Sequence, residues 1–119
     1  MLTWTTHDAG GILVITLEPS PLNGDDRQSE ERQKLYETIQ TRPDGRFAVD
    51  LGRVDYMSSA DVGFLITVRR RADVRKGKLV LFDVNSYIRD SLATMKLLPL
   101  FPMAEDLTGA LLMLPTGDA

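Results

Sequence analysis

The chain has 119 residues, 43% of them hydrophobic and 26% charged, which is enough for one core and too little for two domains of ordinary size. Fourteen basic against seventeen acidic residues leave a net charge of -3, so no global positive field exists to hold nucleic acid or an anionic membrane. With no cysteine there is no disulfide scaffold, thiolate metal site or cysteine nucleophile, and no apolar run approaches the roughly 20 residues of a membrane span.

Leu2 to Thr5 alternates apolar and polar residues, Asp8-Ala9-Gly10-Gly11 carries turn chemistry, and Ile12 to Leu17 is a β-branched apolar run. The chain is therefore predicted to open on an antiparallel hairpin. Pro19-Ser20-Pro21 and Asn23-Gly24 precede Asp26 to Gln40, a stretch of helix formers whose large apolar residues are Leu35, Tyr36 and Ile39. This predicts a helix with one thin buried stripe, ended by Arg42-Pro43-Asp44-Gly45. Arg46 to Leu51 reads as a short buried strand with a carboxylate at its end. From Ser59 to Arg75 the period becomes helical, with Val62, Leu65, Ile66, Val68 and Ala72 on one side, and Gly77 is the expected stop. Lys78 to Phe82 is the next buried strand, and Ser86 to Met95 carries Ile88, Leu92 and Met95 at helical spacing. A short strand near Phe101 and an apolar helix from Ala104 to Leu114 complete the order. Strands separated by helices imply right-handed crossovers. The expected fold class is α/β: a mixed sheet of four to five strands, hairpin first and then parallel, with about four helices. One domain is expected over 1–114, with a flexible tail at 115–119.

The informative segment is the junction between the strand ending at Asp50-Leu51 and the helix after Met57. Ser58 stands where an N-cap belongs and Asp61 follows three residues on, so the pair is predicted to form a capping box with Asp in the Glu place. Such a cap contributes about 1 kcal/mol and needs no function to explain it. The functional alternative is that Ser59, the second serine, takes a phosphate at a helix N-terminus, where unpaired N–H groups and the dipole accommodate a dianion.

Residues 46 to 110 resemble a STAS domain, the module of bacterial anti-sigma factor antagonists. The resemblance is carried by the strand end Asp50-Leu51, the run Ser58-Ser59-Ala60-Asp61-Val62-Gly63, and Lys76-Gly77-Lys78-Leu79-Val80-Leu81. It continues through Ile88, Leu92, Leu97 and Leu100-Phe101-Pro102 to Asp106-Leu107 and Ala110-Leu111. The resemblance implies a phosphorylation-switched binding protein of the cytoplasm, neither enzyme nor cofactor carrier, with Ser59 as acceptor and Ser58 as second choice. Its implied partners are an anti-sigma factor that is also a serine kinase, bound by the unphosphorylated form, and a serine phosphatase. No nucleic-acid or membrane partner is implied, and the expected state is a monomer or weak homodimer. The implied partner surface is Ser58, Ala60, Asp61, Gly63, Phe64, Thr67, Arg70 and Arg71. The chain departs from the family pattern in Ser58 for an Asp, Ala60 for a Ser/Thr, Asp61 for a Gly, and Lys96 for the Gly after the third helix. It departs again at Leu17-Glu18-Pro19-Ser20-Pro21, which breaks the Gly-x-Leu-Asp pattern of the second strand.

Two alternatives stand beside this reading. One is a STAS-like scaffold without the switch. The other is a receiver-like, Mg²⁺-dependent aspartate phospho-acceptor built on Asp50, Asp55 and Asp83, although Asp25-Asp26 follow a loop and not the first parallel strand. Arg69-Arg70-Arg71 with Arg75 and Lys76 reads as a solvated face complementing a helix C-terminus. Phe64 falls away from the apolar stripe, so it either joins a partner interface with Thr67 and Arg71 or packs under a neighbouring loop. His7 is alone, with no second or third ligand for a zinc site.

Overall fold

The computed structural model describes residues 2–19, 26–43, 45–74 and 76–115; the expected loop at 20–25, Asp44, Arg75 and the end of the tail lie outside them. Strands β1 (Leu2–Ala9) and β2 (Ile12–Pro19) pair antiparallel in unbroken register from Ala9↔Ile12 to Leu2↔Pro19. The turn between them is only Gly10-Gly11, with φ of 61° and 88°. Two consecutive positive φ values are what a type I′ hairpin turn demands, and glycine supplies both without a Cβ clash. The strands therefore run closer to the turn than Asp8-Ala9 suggested.

Helix α1 (Asp26–Thr41) leads to β3 (Arg46–Asp50), helix α2 (Ser59–Asp73) to β4 (Lys78–Phe82), and helix α3 (Ser86–Thr94) with a 3₁₀ turn (Leu98–Leu100) to β5 (Met103–Ala104). The parallel pairs β2–β3, β3–β4 and β4–β5 complete a five-stranded mixed sheet in the order β1-β2-β3-β4-β5. Helix α4 (Leu107–Leu112) closes the chain. The expected helix from Ala104 to Leu114 is thus shorter, because Ala104 is drawn into the sheet beside Phe82 and Asp106 caps a new start by accepting from Gly109 N–H at 2.8 Å.

The inner strands bury both faces, which is why their sequences are nearly continuous apolar runs. Leu13, Ile15, Leu17, Phe47, Val49, Leu79 and Leu81 face the core shared with Leu35, Tyr36, Ile39, Val62, Leu65, Val68, Ile88 and Leu92. Ile12, Val14, Ala48, Val80 and Phe82 face Ala110 and Leu114 on the other side. Each such Val, Leu, Ile or Phe side chain withdrawn from water contributes roughly 1.5–3 kcal/mol. Ile66 is half-buried at the edge of its stripe. Among the described residues no helix is long and apolar enough to cross a membrane.

Helices α2 and α3 end in the same way, and neither end is marked by glycine. Lys96, at φ 61°, donates to Ala93 C=O at 3.0 Å while Leu97 N–H reaches Leu92 C=O at 2.8 Å, the two bonds of a Schellman motif. Lys76, at φ 57°, donates to Asp73 C=O and Gly77 to Ala72 C=O, both at 2.9 Å. The expected stop at Gly77 is displaced by one residue, since the left-handed position is Lys76. Gly77 has another duty: a Cβ there would lie 2.7 Å from Gly45 O and 2.8 Å from Ala72 O. Met95, expected on the apolar stripe of α3, is instead its C-cap and is exposed.

Candidate functional site

The loop from β3 to α2 is held at both ends before it presents the helix start. Leu51 N–H donates to Phe82 C=O at 3.1 Å, Val54 N–H to Leu51 C=O at 3.1 Å, and Leu51, Val54 and Met57 are buried. Asn85 anchors the middle, its Nδ2 donating to Val54 O at 3.1 Å and Asp55 O at 3.2 Å while its Oδ1 caps α3 by accepting from Ile88 N–H. A loop with this many backbone partners delivers α2 in one place.

At that place the predicted capping box is present in both directions. Asp61 N–H donates to Ser58 Oγ at 3.1 Å, and Ser58 N–H donates to Asp61 Oδ2 at 2.9 Å. Asp61 is 6% exposed, the one buried charged residue of the described chain, and its carboxylate sits over the positive end of the helix dipole. Ser58 is half-buried with its hydroxyl engaged in the cap, whereas Ser59 is the first residue of the helix, exposed and outside the capping box.

The remaining expected residues divide into two groups. Ala60, Gly63 and Arg70 are exposed along the outer face of α2 with Ser59, and a Cβ added at Gly63 would meet nothing within 4 Å. Thr67 is half-buried and donates from Oγ1 to Gly63 C=O at 2.9 Å. Arg71 lies over the Tyr36 ring at 5.3 Å and donates to Gln40 Oε1 at 2.8 Å, so it ties α2 to α1. Phe64 is not on the outer face at all. It is 8% exposed, stacked on Trp4 at 5.4 Å, tilted against Tyr36 at 6.0 Å and covered by Arg32 at 5.8 Å. Helix α1 and strand β1 together cover a residue that the α2 wheel alone left outside.

Of the basic run, Arg69 is engaged like Arg71, while Arg70 and Lys76 are exposed. Arg69 donates to Leu100 O at 2.6 Å and pairs with Asp73 at 2.9 Å. The strand-end carboxylates Asp50 and Asp83 flank Gly52, whose N–H donates to Asp50 Oδ1 at 2.8 Å. Among the described residues no three His, Asp or Glu side chains converge as a metal site. One feature the sequence reading missed adjoins the loop: Tyr56 and Tyr87, 61% and 60% exposed, with ring centroids 6.4 Å apart. An aromatic residue just before the cap and another at the start of α3 were the available signal.

With the fold and this helix start in place, the sequence model of the STAS domain matches residues 8–110. The chain belongs to the STAS domain family. Over 59 residues it is 34% identical to BtrV of Bordetella bronchiseptica, named as an anti-sigma factor antagonist; the match spans 50% of this chain and 51% of that one, so the chain aligns with about half the length of this relative. Among solved structures, a serine-to-glutamate variant of RsbS from Moorella thermoacetica superposes with TM-score 0.78 at 18% identity, over 93% of both chains. The phosphorylated form of Bacillus SpoIIAA superposes with TM-score 0.67 at 19% identity, over 95% of this chain and 100% of that one. These structures share the mixed sheet and the helix arrangement of this STAS domain.

Proposed function

We propose that this STAS domain is an anti-sigma factor antagonist switched by phosphorylation of Ser59. The observation that carries the reading is the division of labour between the two serines. Ser58 spends its hydroxyl on the cap, while Ser59 presents an exposed hydroxyl at the first turn of α2, beside unpaired helix N–H groups and the dipole's positive end. A matching relative named as an anti-sigma factor antagonist and a fold shared with a phosphorylated antagonist support the same assignment.

The partner is a serine kinase that is itself the anti-sigma factor, bound through Ser59, Ala60, Gly63 and Arg70 in the unphosphorylated state; a serine phosphatase resets the switch. The protein acts by binding and not by catalysis, in the cytoplasm where such kinases work. A phosphate adds a charge of about -1.5 to -2, which cannot be desolvated against the partner without compensation. Asp61 adds a fixed carboxylate two residues on, in the same first turn, so the free energy of phosphorylation is higher than at a neutral helix start.

The test is calorimetry with the cognate kinase. Ser59→Asp is expected to weaken binding and Ser59→Ala to preserve it, with phosphate mapped to Ser59 in protein isolated from native cells. Binding indifferent to Ser59→Asp, with no phosphate on Ser58 or Ser59, would establish the unswitched scaffold instead, and acid-labile phosphate on an aspartate the receiver-like acceptor.

A further inference from the structure

The sheet has two edges, the two-residue β5 and the eight-residue β1. A long edge is a template for another strand, and proteins guard it with proline, lysine, a bulge or an overlying element. Strand β1, Leu-Thr-Trp-Thr-Thr-His-Asp-Ala, has no proline or lysine, and its unbroken pairing with β2 leaves no bulge. Thr5, Thr6, His7 and Asp8 are exposed in succession, so among the described residues no element buries this half of the strand.

The glycine turn fixes which backbone groups point outward. A two-residue turn closes on a hydrogen-bonded pair, here Ala9 and Ile12, and bonded and non-bonded pairs then alternate. Thr3, Thr5 and His7 therefore turn their N–H and C=O groups to β2, whereas Trp4, Thr6 and Asp8 turn theirs away from the sheet. Alongside them, Trp4, Thr5, Thr6, Lys34, Leu35 and Thr38 line a groove of about 300 Å³ between β1 and α1.

We propose that β1 pairs antiparallel with β1 of a second copy of this chain, joining two five-stranded sheets across a two-fold axis at Thr5. In that register Thr5 faces its own copy, Trp4 faces Thr6, Thr3 faces His7 and Asp8 faces Leu2, so no charge opposes a like charge. The strand's one anion, Asp8, is already paired with Arg42. A second β1 thus meets the demands that this edge makes: matching length, small side chains at the axis, and Trp4 and Thr6 placed on the groove side. A strand pair of this length buries less than the roughly 1,200 Å² of a standard stable interface, so the dimer is reversible and forms with rising concentration.

Sedimentation velocity on the whole chain, over a series reaching millimolar concentration, tests this. The wild type is expected to move from monomer to dimer. Thr6→Pro removes an outward N–H and leaves the β1–β2 ladder intact, so it is expected to stay monomeric with unchanged circular dichroism. Independently of folding effects, Thr5→Cys creates a single thiol whose copies lie about 4.5 Å apart between Cα atoms across a non-bonded pair, within the disulfide range. It should oxidise to a covalent dimer about tenfold faster than Thr6→Cys, which faces Trp4. A wild type monomeric throughout, association that survives Thr6→Pro, or equal cross-linking of the two cysteine variants would each overturn the pairing.

Discussion

At the scale of single residues, the two adjacent serines at the start of α2 differ in one side-chain bond. Ser58→Ala leaves the Asp61 N–H without its acceptor and is expected to cost about 1 kcal/mol in urea denaturation, whereas Ser59→Ala should change stability by only a few tenths of a kcal/mol. Equal costs would mean that Ser59 contributes to the cap. Lys96 makes a second prediction. It occupies the left-handed position of the Schellman motif that ends α3, a conformation costing a side-chain-bearing residue roughly 1–2 kcal/mol. Glycine removes that strain but loses more backbone entropy on folding. Lys96→Gly is therefore expected to stabilise the chain by roughly 0.5–1 kcal/mol, read as a raised denaturation midpoint.

At the scale of elements, Gly63 sets helix stability against partner contact. It lies mid-helix on the exposed face of α2, where an added Cβ touches nothing, and glycine in a helix interior is less stable than alanine by about 0.8–1 kcal/mol. Gly63→Ala should raise the melting temperature and, if the partner's surface comes close at that turn, weaken binding; calorimetry with the kinase separates the two effects. Higher stability with undiminished binding would place the contact nearer Ser59 and away from Gly63. The strands, helices and cap were legible in sequence because each depends on near neighbours: period two or 3.6, a Ser-x-x-Asp, a Gly-Gly turn. Phe64 was not, because what covers it comes from Trp4, Arg32 and Tyr36, which chain folding brings from two other elements. The helix ends were legible to within a residue, but the left-handed backbone at Lys76 and Lys96 was not, since glycine is the usual marker of that conformation and neither position carries it.

At the scale of the whole molecule, the same aromatic cluster joins β1, α1 and α2. Tyr36 is buried at its centre, against Phe64 and under Arg71. Burial pushes its phenol above the usual pKa of 10.0, and Arg32, a hydrogen bond with Thr67, and Arg71 offset only part of that rise. The sign of the pH dependence follows. Near and above pH 10 the unfolded chain gives up the phenolic proton while the folded chain retains it, so the folded state binds more protons and stability falls as pH rises. Below about pH 10 both states hold the proton, and this residue adds no pH dependence. Urea denaturation from pH 8 to 11 should therefore show a steeper alkaline loss for the wild type than for Tyr36→Phe, which keeps the ring and removes the ionising group; the difference cancels the lysines common to both. Parallel curves would mean that Tyr36 ionises as freely in the folded chain as in the unfolded one, and that the seam between α1 and α2 is open to water.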